Sequence, residues 1–150
     1  MLRVTKPQGR LSLAVWAKSE VNPFSYVVTN VMSRYTDLDP PAVTPGASDG
    51  AFRFAEPGVL ASILREAGAQ AISEHLLEFH IEAPISLGGF WDMRSETSGT
   101  LRMKLAMLSE EDRAHAAHDV QEAAREFFSN DQMNFPAQMI IVTGTKPDFR

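Results

Sequence analysis

The sequence contains no cysteine. That removes disulfide frameworks, thiolate metal sites and thiol nucleophiles from consideration, and it makes a cytoplasmic location the default expectation. No apolar stretch approaches the roughly 20 residues that a membrane-crossing helix needs. A secretory signal is not visible either, because residues 1–7 hold no sustained apolar segment ahead of Pro7. Basic residues are the scarcer sign: 14 Lys and Arg stand against 19 Asp and Glu, for a net charge of −5. The cations are scattered, so nucleic acid and anionic membranes, which both need clustered Lys and Arg, are not expected partners.

What is present has the composition of an ordinary globular domain, 44% apolar and 22% charged, so disorder is not indicated. A chain of 150 residues is expected to form a single domain over 1–150 with one hydrophobic core, burying about two thirds of the surface its unfolded form exposes.

The stretch Lys6-Pro7-Gln8-Gly9-Arg10 followed by Leu11-Ser12-Leu13-Ala14-Val15-Trp16 organises the rest. Proline and glycine make a tight turn, and the run behind it is apolar on both faces. This predicts a strand over 10–17 buried in the middle of a sheet. Ahead of it, residues 1–5 read as the tail of a helix that has no start signal. Asn22-Pro23 is an N-cap followed by proline at the first helical position, and Phe24, Val27, Val28, Val31, Met32 and Tyr35 then share one helical stripe. Residues 37–50 carry Pro40, Pro41, Pro45, Gly46 and Gly50, an irregular connection that reads either as a lid or as a flexible crossing.

Glu56-Pro57 opens a second helix with Val59, Leu60, Ile63, Leu64 and Ala67 on one stripe and Gly68 just past its end. A half-exposed strand is predicted over 71–82, with Leu77, Phe79 and Ile81 on one face and Glu78, His80 and Glu82 on the other. Leu87, Phe90, Trp91, Leu101, Leu105 and Leu108 predict one or two short helices interrupted at Ser98-Gly99. Ser109 with Asp112 is a capping-box-like start for a helix to about residue 129, whose buried side is Ala117, Val120, Ala124, Phe127 and Phe128. Met139-Ile140-Ile141-Val142 marks a last buried strand over 137–145. The order of elements predicts an α/β fold whose connections are long enough to cross the sheet.

Some of these segments resemble a known family. Lys6-Pro7-Gln8-Gly9-Arg10-Leu11, with Ala14-Val15-Trp16 and Asn22-Pro23-Phe24, resembles the fifth-strand region of class I S-adenosylmethionine-dependent methyltransferases, especially the group similar to the ubiquinone and menaquinone biosynthesis methyltransferases. Phe52-Arg53-Phe54-Ala55-Glu56-Pro57, with Leu60, Leu64, Ala67 and Gly68, is similar to the helix before that group's sixth strand. Phe135-Pro136-Ala137, with Ile140-Ile141-Val142 and Lys146-Pro147, is similar to its seventh strand. The likeness runs through essentially the whole chain.

The resemblance implies the C-terminal part of a Rossmann-like methyltransferase sheet, strands five, six and seven, with helices packed on it and a helical insert, and without the N-terminal cofactor-binding half. In the family, S-adenosylmethionine is held by a glycine-rich turn after the first strand and by an acidic residue at the end of the second. Glycine allows close backbone approach, and the carboxylate accepts two hydroxyl hydrogen bonds. Gly88-Gly89 and Asp49-Gly50 are the nearest candidates here, and neither is expected to follow a buried strand that opens into a helix. S-adenosylmethionine is therefore not expected to bind this chain alone. Gln8 departs from the family pattern, which usually has a second glycine there. Because strands four and five of the family lie side by side, residues 10–17 would present a bare edge, a template for pairing. The partners implied are a small-molecule methyl acceptor, and either a complementing N-terminal half or a second copy in a homodimer.

Family residues just after the fifth strand and before the sixth border the acceptor, which makes Trp16, Asn22, Phe24, Phe52 and Phe54 the candidate substrate-binding residues. The plainer reading of the aromatics among them is packing beneath the proline-rich loop; the functional one is an apolar acceptor pocket. No catalytic residue is singled out; the sulfonium is already activated, so methyl transfer asks chiefly for alignment of the acceptor. Glu111, His115, His118 and Glu122 share one helix face, a spacing that can bind zinc but that also describes a solvated charged face. His75 and His80 differ in strand parity and cannot hold one ion from the same face. Two functions stand against each other: the acceptor-side portion of a methyltransferase, inactive as this chain alone, and a noncatalytic dimeric module that binds an apolar ligand or a protein partner.

Overall fold

The computed structural model describes residues 1–36 and 50–148. The irregular connection expected over 37–50 lies outside them apart from Gly50. Among the described residues the chain forms β1 (Arg10–Trp16), α1 (Pro23–Met32), α2 (Val59–Glu66), β2 (Gln70–Ala83), α3 (Leu87–Thr97), α4 (Gly99–Ala106), α5 (Glu110–Ala124), β3 (Phe128–Ser129) and β4 (Gln132–Thr145). This is an α/β architecture built on a four-stranded antiparallel sheet. Its path is β1-β4-β2, with β3 also paired to β4.

The middle of that path is the last strand, β4, and not β1. The strand expected at 10–17 is present, but among the described residues it pairs only with β4, from Arg10 opposite Thr145 to Trp16 opposite Met139. Its run counts as apolar on both faces only because Ala14 and Trp16 share a face with Ser12. Leu11 is buried and Leu13 and Val15 are half-buried, whereas Ser12 and Ala14 are exposed. Period-two burial of this kind belongs to a strand covered on one side.

The described chain divides into two compact units, each with its own core. The first comprises Met1–Asn22, Thr44–Phe79 and Gln138–Arg150. Leu11, Ala17, Leu60, Ala61, Leu64, Ala69, Ile140 and Val142 make its core, where α2 packs on β1 and β4. The buried stripe of α2 is Leu60, Ala61 and Leu64, while Val59 and Ile63 stay 40% and 43% exposed. Pairs 59/63 and 60/64 satisfy the helical period equally well, so periodicity could not choose between them. The Gly58 N–H, at the start of the helix, donates to Glu74 Oε1 at 2.9 Å, which pins that end of the helix to β2. It also sets a carboxylate at the positive end of the helix dipole. Beyond the helix, Gly68 takes the left-handed conformation (φ 93) expected of a helix stop.

The second unit comprises Pro23–Val43 and His80–Ala137. Val27, Val28, Val31 and Met32 of α1 are buried as the stripe predicted. They pack with Phe90, Leu101, Ala116, Val120, Ala124, Met133 and Phe135. The interruption expected at Ser98-Gly99 is real: Ser98 ends α3 and caps α4, accepting the Leu101 N–H at 3.3 Å. Ser109 caps α5, its Oγ accepting the Asp112 N–H at 3.1 Å while the hydroxyl donates to Asp112 Oδ2 at 2.7 Å, a side-chain pairing that takes the place of the capping box's return bond to the Ser109 N–H.

Helix α5 stops at Ala124, short of the expected residue 129, and its buried face is Ala116, Val120 and Ala124. A 3-10 turn over Arg125–Phe127 follows, and then β3 and β4 form a hairpin. Its two turn residues, Asn130 and Asp131, both have positive φ (50 and 56), the geometry that matches strand twist and that Asn and Asp tolerate. Strand β4 therefore begins five residues earlier than expected and runs through Pro136. The last β1 position in the ladder, Trp16, lies opposite Met139, so Pro136 sits beyond the β1 pairing, where its missing N–H breaks no bond to that strand.

Candidate functional site

The five candidate acceptor-binding residues do not form one cluster within either unit. Trp16 closes β1 on the sheet face opposite α2, and its ring stacks on Phe79 of β2 with centroids 6.2 Å apart and an interplanar angle of 27°. Phe54 is half-buried against the core beneath α2, on the other face of the same sheet, with the Arg53 guanidinium 5.4 Å over its ring. Phe52 is half-buried in the turn over 51–54, where its carbonyl accepts the Ala55 N–H at 3.0 Å.

Asn22 is only 3% exposed, and every polar role of its amide is taken. Nδ2 donates to the carbonyls of Ala17 (3.2 Å) and Lys18 (2.9 Å), and Oδ1 accepts the Gln138 N–H at 3.0 Å. The expected N-cap thus ties the end of β1 to β4.

Phe24 belongs to the second unit. It meets Phe90 and Phe135 edge-on at 5.7 and 5.6 Å, and the Arg94 guanidinium lies 4.8 Å over its ring. Arg94 was not foreseen. Its signal was a lone cation among Phe90, Trp91 and Met93 on a segment otherwise read for its apolar stripe. Burial lowers its pKa from the usual arginine value.

The first unit's sheet also carries an uncovered, mixed face. Ser73 and Thr143 share a hydroxyl hydrogen bond of 2.6 Å across β2 and β4. Thr143 stands opposite Ser12, with Ile141 opposite Ala14 next along the same face. Leu77 is 44% exposed on that side of β2. A depression of about 200 Å³ lies elsewhere in this unit, lined by Leu2, Arg3, Ala67, Gly68, Lys146 and Pro147. It is smaller than ordinary ligand pockets. Its lysine is already engaged, with Lys146 Nζ donating to the carbonyls of Thr5 (2.8 Å) and Arg3 (3.5 Å).

The histidine and glutamate stripe on α5 is a solvated face. Glu111, His115 and His118 are exposed and Glu122 pairs with Arg125. No group of three or more His, Asp or Glu side chains able to hold a metal occurs among the described residues. On β2, His80 Nδ1 shares a hydrogen bond with Asn134 Oδ1, while His75 is exposed.

S-adenosylmethionine is the cofactor the resemblance implies, and the described residues do not fit it. Gly88-Gly89 opens α3, to which β2 leads through Pro84-Ile85-Ser86, but β2 has no buried residue, so the pair does not follow a buried strand. Both glycines are ordinary first-turn helical residues without positive φ, and Ser86 Oγ already accepts the Gly89 N–H at 3.1 Å. Asp49 lies outside the described residues, and Gly50 has open space around it.

The chain matches no protein-family model and no curated protein. Among the described residues no helix is long and apolar enough to cross a membrane.

Proposed function

We propose that this chain is the acceptor-side, C-terminal portion of an S-adenosylmethionine-dependent methyltransferase acting on a small molecule, with the cofactor held by residues outside it and no turnover by the chain alone. One observation carries the reading: β1, the strand that resembles the family's fifth, pairs on one side only among the described residues. Its other edge is a row of backbone donors and acceptors able to take a further strand. Beside that edge, Trp16 and Phe79 offer an aromatic surface at the end of the strand, where open α/β sheets place ligands. Calorimetric titration with S-adenosylmethionine and its demethylated product tests the division of labour. A folded chain that binds neither fits the reading; micromolar binding by the chain alone overturns it.

The same edge favours a second reading, a noncatalytic homodimer that takes an apolar ligand or a protein partner. An antiparallel pair of β1 strands centred on Leu13 would keep Leu11, Leu13 and Val15 on the core face of both copies, since register preserves parity. Sedimentation that finds only monomer at micromolar concentration removes this reading and leaves the first standing.

A further inference from the structure

The geometry points to Arg94 as the anchor for an oxyanion, a carboxylate or a phosphate, carried on a small molecule with an apolar body. The two ion pairs among the described residues are Lys18 with Glu56 and Arg125 with Glu122, so Arg94 forms no ion pair with any described carboxylate. Its Nε is fully buried and makes no hydrogen bond. A desolvated cation with an unsatisfied donor is costly, and the ring of Phe24 at 4.8 Å offsets only part of that cost.

Among the described residues the terminal nitrogens of the same guanidinium make no hydrogen bond, and the side chain as a whole is only half-buried, so an anion can reach it. Arginine's planar fork matches carboxylate and phosphate oxygens. Phe24 beneath the guanidinium, and Trp91 and Met93 on the same helix as Arg94, are only partly buried, which leaves apolar surface for the rest of the ligand. Calling that ligand the methyl acceptor rests on the function proposed above; the anion site itself does not.

The test uses the full chain labelled with ¹⁵N, with the Arg94 Nε–H resonance as readout and benzoate, phenyl phosphate and benzamide as probes. At least one anion is expected to move that resonance saturably, the better of the two identifying carboxylate or phosphate as the natural group, while the neutral isostere benzamide does not. Arg94→Gln is expected to weaken anion binding about tenfold or more, and Arg94→Lys to recover part of it. Because Arg94→Gln could loosen packing on Phe24, its circular dichroism spectrum is compared with that of the parent, and Arg94→Lys serves as the variant that keeps the charge. Equal response to benzamide, no response to either anion, or unchanged binding in a folded Arg94→Gln each overturns the inference. None of these outcomes involves S-adenosylmethionine, so failure here is distinguishable from failure of the methyltransferase reading.

Discussion

The carboxamide of Asn22 occupies the place of a strand residue opposite Gln138. Where β1 turns away, the Ala17 N–H still donates to the Gln138 carbonyl at 3.0 Å, and the Gln138 N–H is accepted by Asn22 Oδ1 instead of by another backbone carbonyl. Replacing Asn22 with Ala leaves that N–H and the Ala17 carbonyl without a partner at a residue only 3% exposed, while the Lys18 carbonyl keeps the Val21 N–H at 3.3 Å. The expected loss is about 2 kcal/mol. Asn22→Asp is expected to keep only the bond to Gln138, because a carboxylate cannot donate to the carbonyls of Ala17 and Lys18. Urea midpoints of the two variants check this, and a change in Asn22→Ala below about 0.5 kcal/mol would contradict it.

The turn before β1 makes opposite predictions for neighbouring residues. Gln8 adopts φ 59, a left-handed conformation that costs a residue with a side chain about 1 kcal/mol or more. Its side chain returns only an exposed hydrogen bond to Asp148. Gln8→Gly is therefore expected to raise stability by about 0.5–1 kcal/mol. At Gly9 a Cβ would sit 2.7 Å from the Lys6 carbonyl oxygen and 2.8 Å from Thr5 Cγ2, so Gly9→Ala is expected to destabilise. Thermal melts of the two variants should move in opposite directions.

The same turn shows what the sequence could and could not convey. Lys6-Pro7-Gln8-Gly9-Arg10 announced a turn, and the strand after it was legible from its apolar run, as was α1 from its stripe. Which strand lies in the middle was not legible, because Ala14 reads as buried or exposed with equal ease and pairing partners leave no mark on composition. The hairpin at Asn130-Asp131 carried a turn signal that was overridden by the helical spacing of Phe127 and Phe128 with the residues before them. At the candidate site, aromatic positions were visible but their sheet faces were not: parity sets Trp16 opposite Leu11 on β1, whereas Phe54 lies in a turn and takes its side from packing against the core beneath α2. Arg94 escaped because an arginine on an amphipathic helix reads as surface until its surroundings are known.

Phe135 is fully buried within an aromatic cluster, 4.6 Å from Phe127 and 5.3 Å from Phe90 between ring centroids. Truncation to Ala opens a cavity bordered by rigid rings that collapse poorly. Phe135→Ala is expected to cost about 3–5 kcal/mol, while Phe135→Leu, which keeps most of the volume, costs clearly less. Equal destabilisation by both would mean that ring geometry, and not filled volume, holds this core together.

The Tyr35 hydroxyl donates to Asp119 Oδ2 at 2.8 Å and joins the end of α1 to α5. That bond, together with partial desolvation and the negative charge of Asp119, holds the phenol above the usual tyrosine range. A group whose folded pKa is raised contributes stability that is fully present below the unfolded value, near pH 10, and is lost as pH rises through the folded value. Ultraviolet titration in a Tyr26→Phe background, which leaves Tyr35 as the sole tyrosine, is expected to show a midpoint above that of free tyrosine. Adding Asp119→Asn should return the midpoint toward the free value; an unchanged midpoint would separate the shift from this contact.

The position of β4 at the centre of the sheet sets a schedule for how the protein is made. Asn22 and Gln138 are 116 positions apart, so a ribosome adding about 5–20 residues per second needs roughly 6–23 seconds between the two. During that interval β1 has emerged without the only strand it pairs with among the described residues, and the apolar side chains of Leu11, Leu13 and Val15 have no completed sheet to join. Nascent chains of this protein are thus candidates for chaperone capture, and the sheet assembles only once β4 has been synthesised.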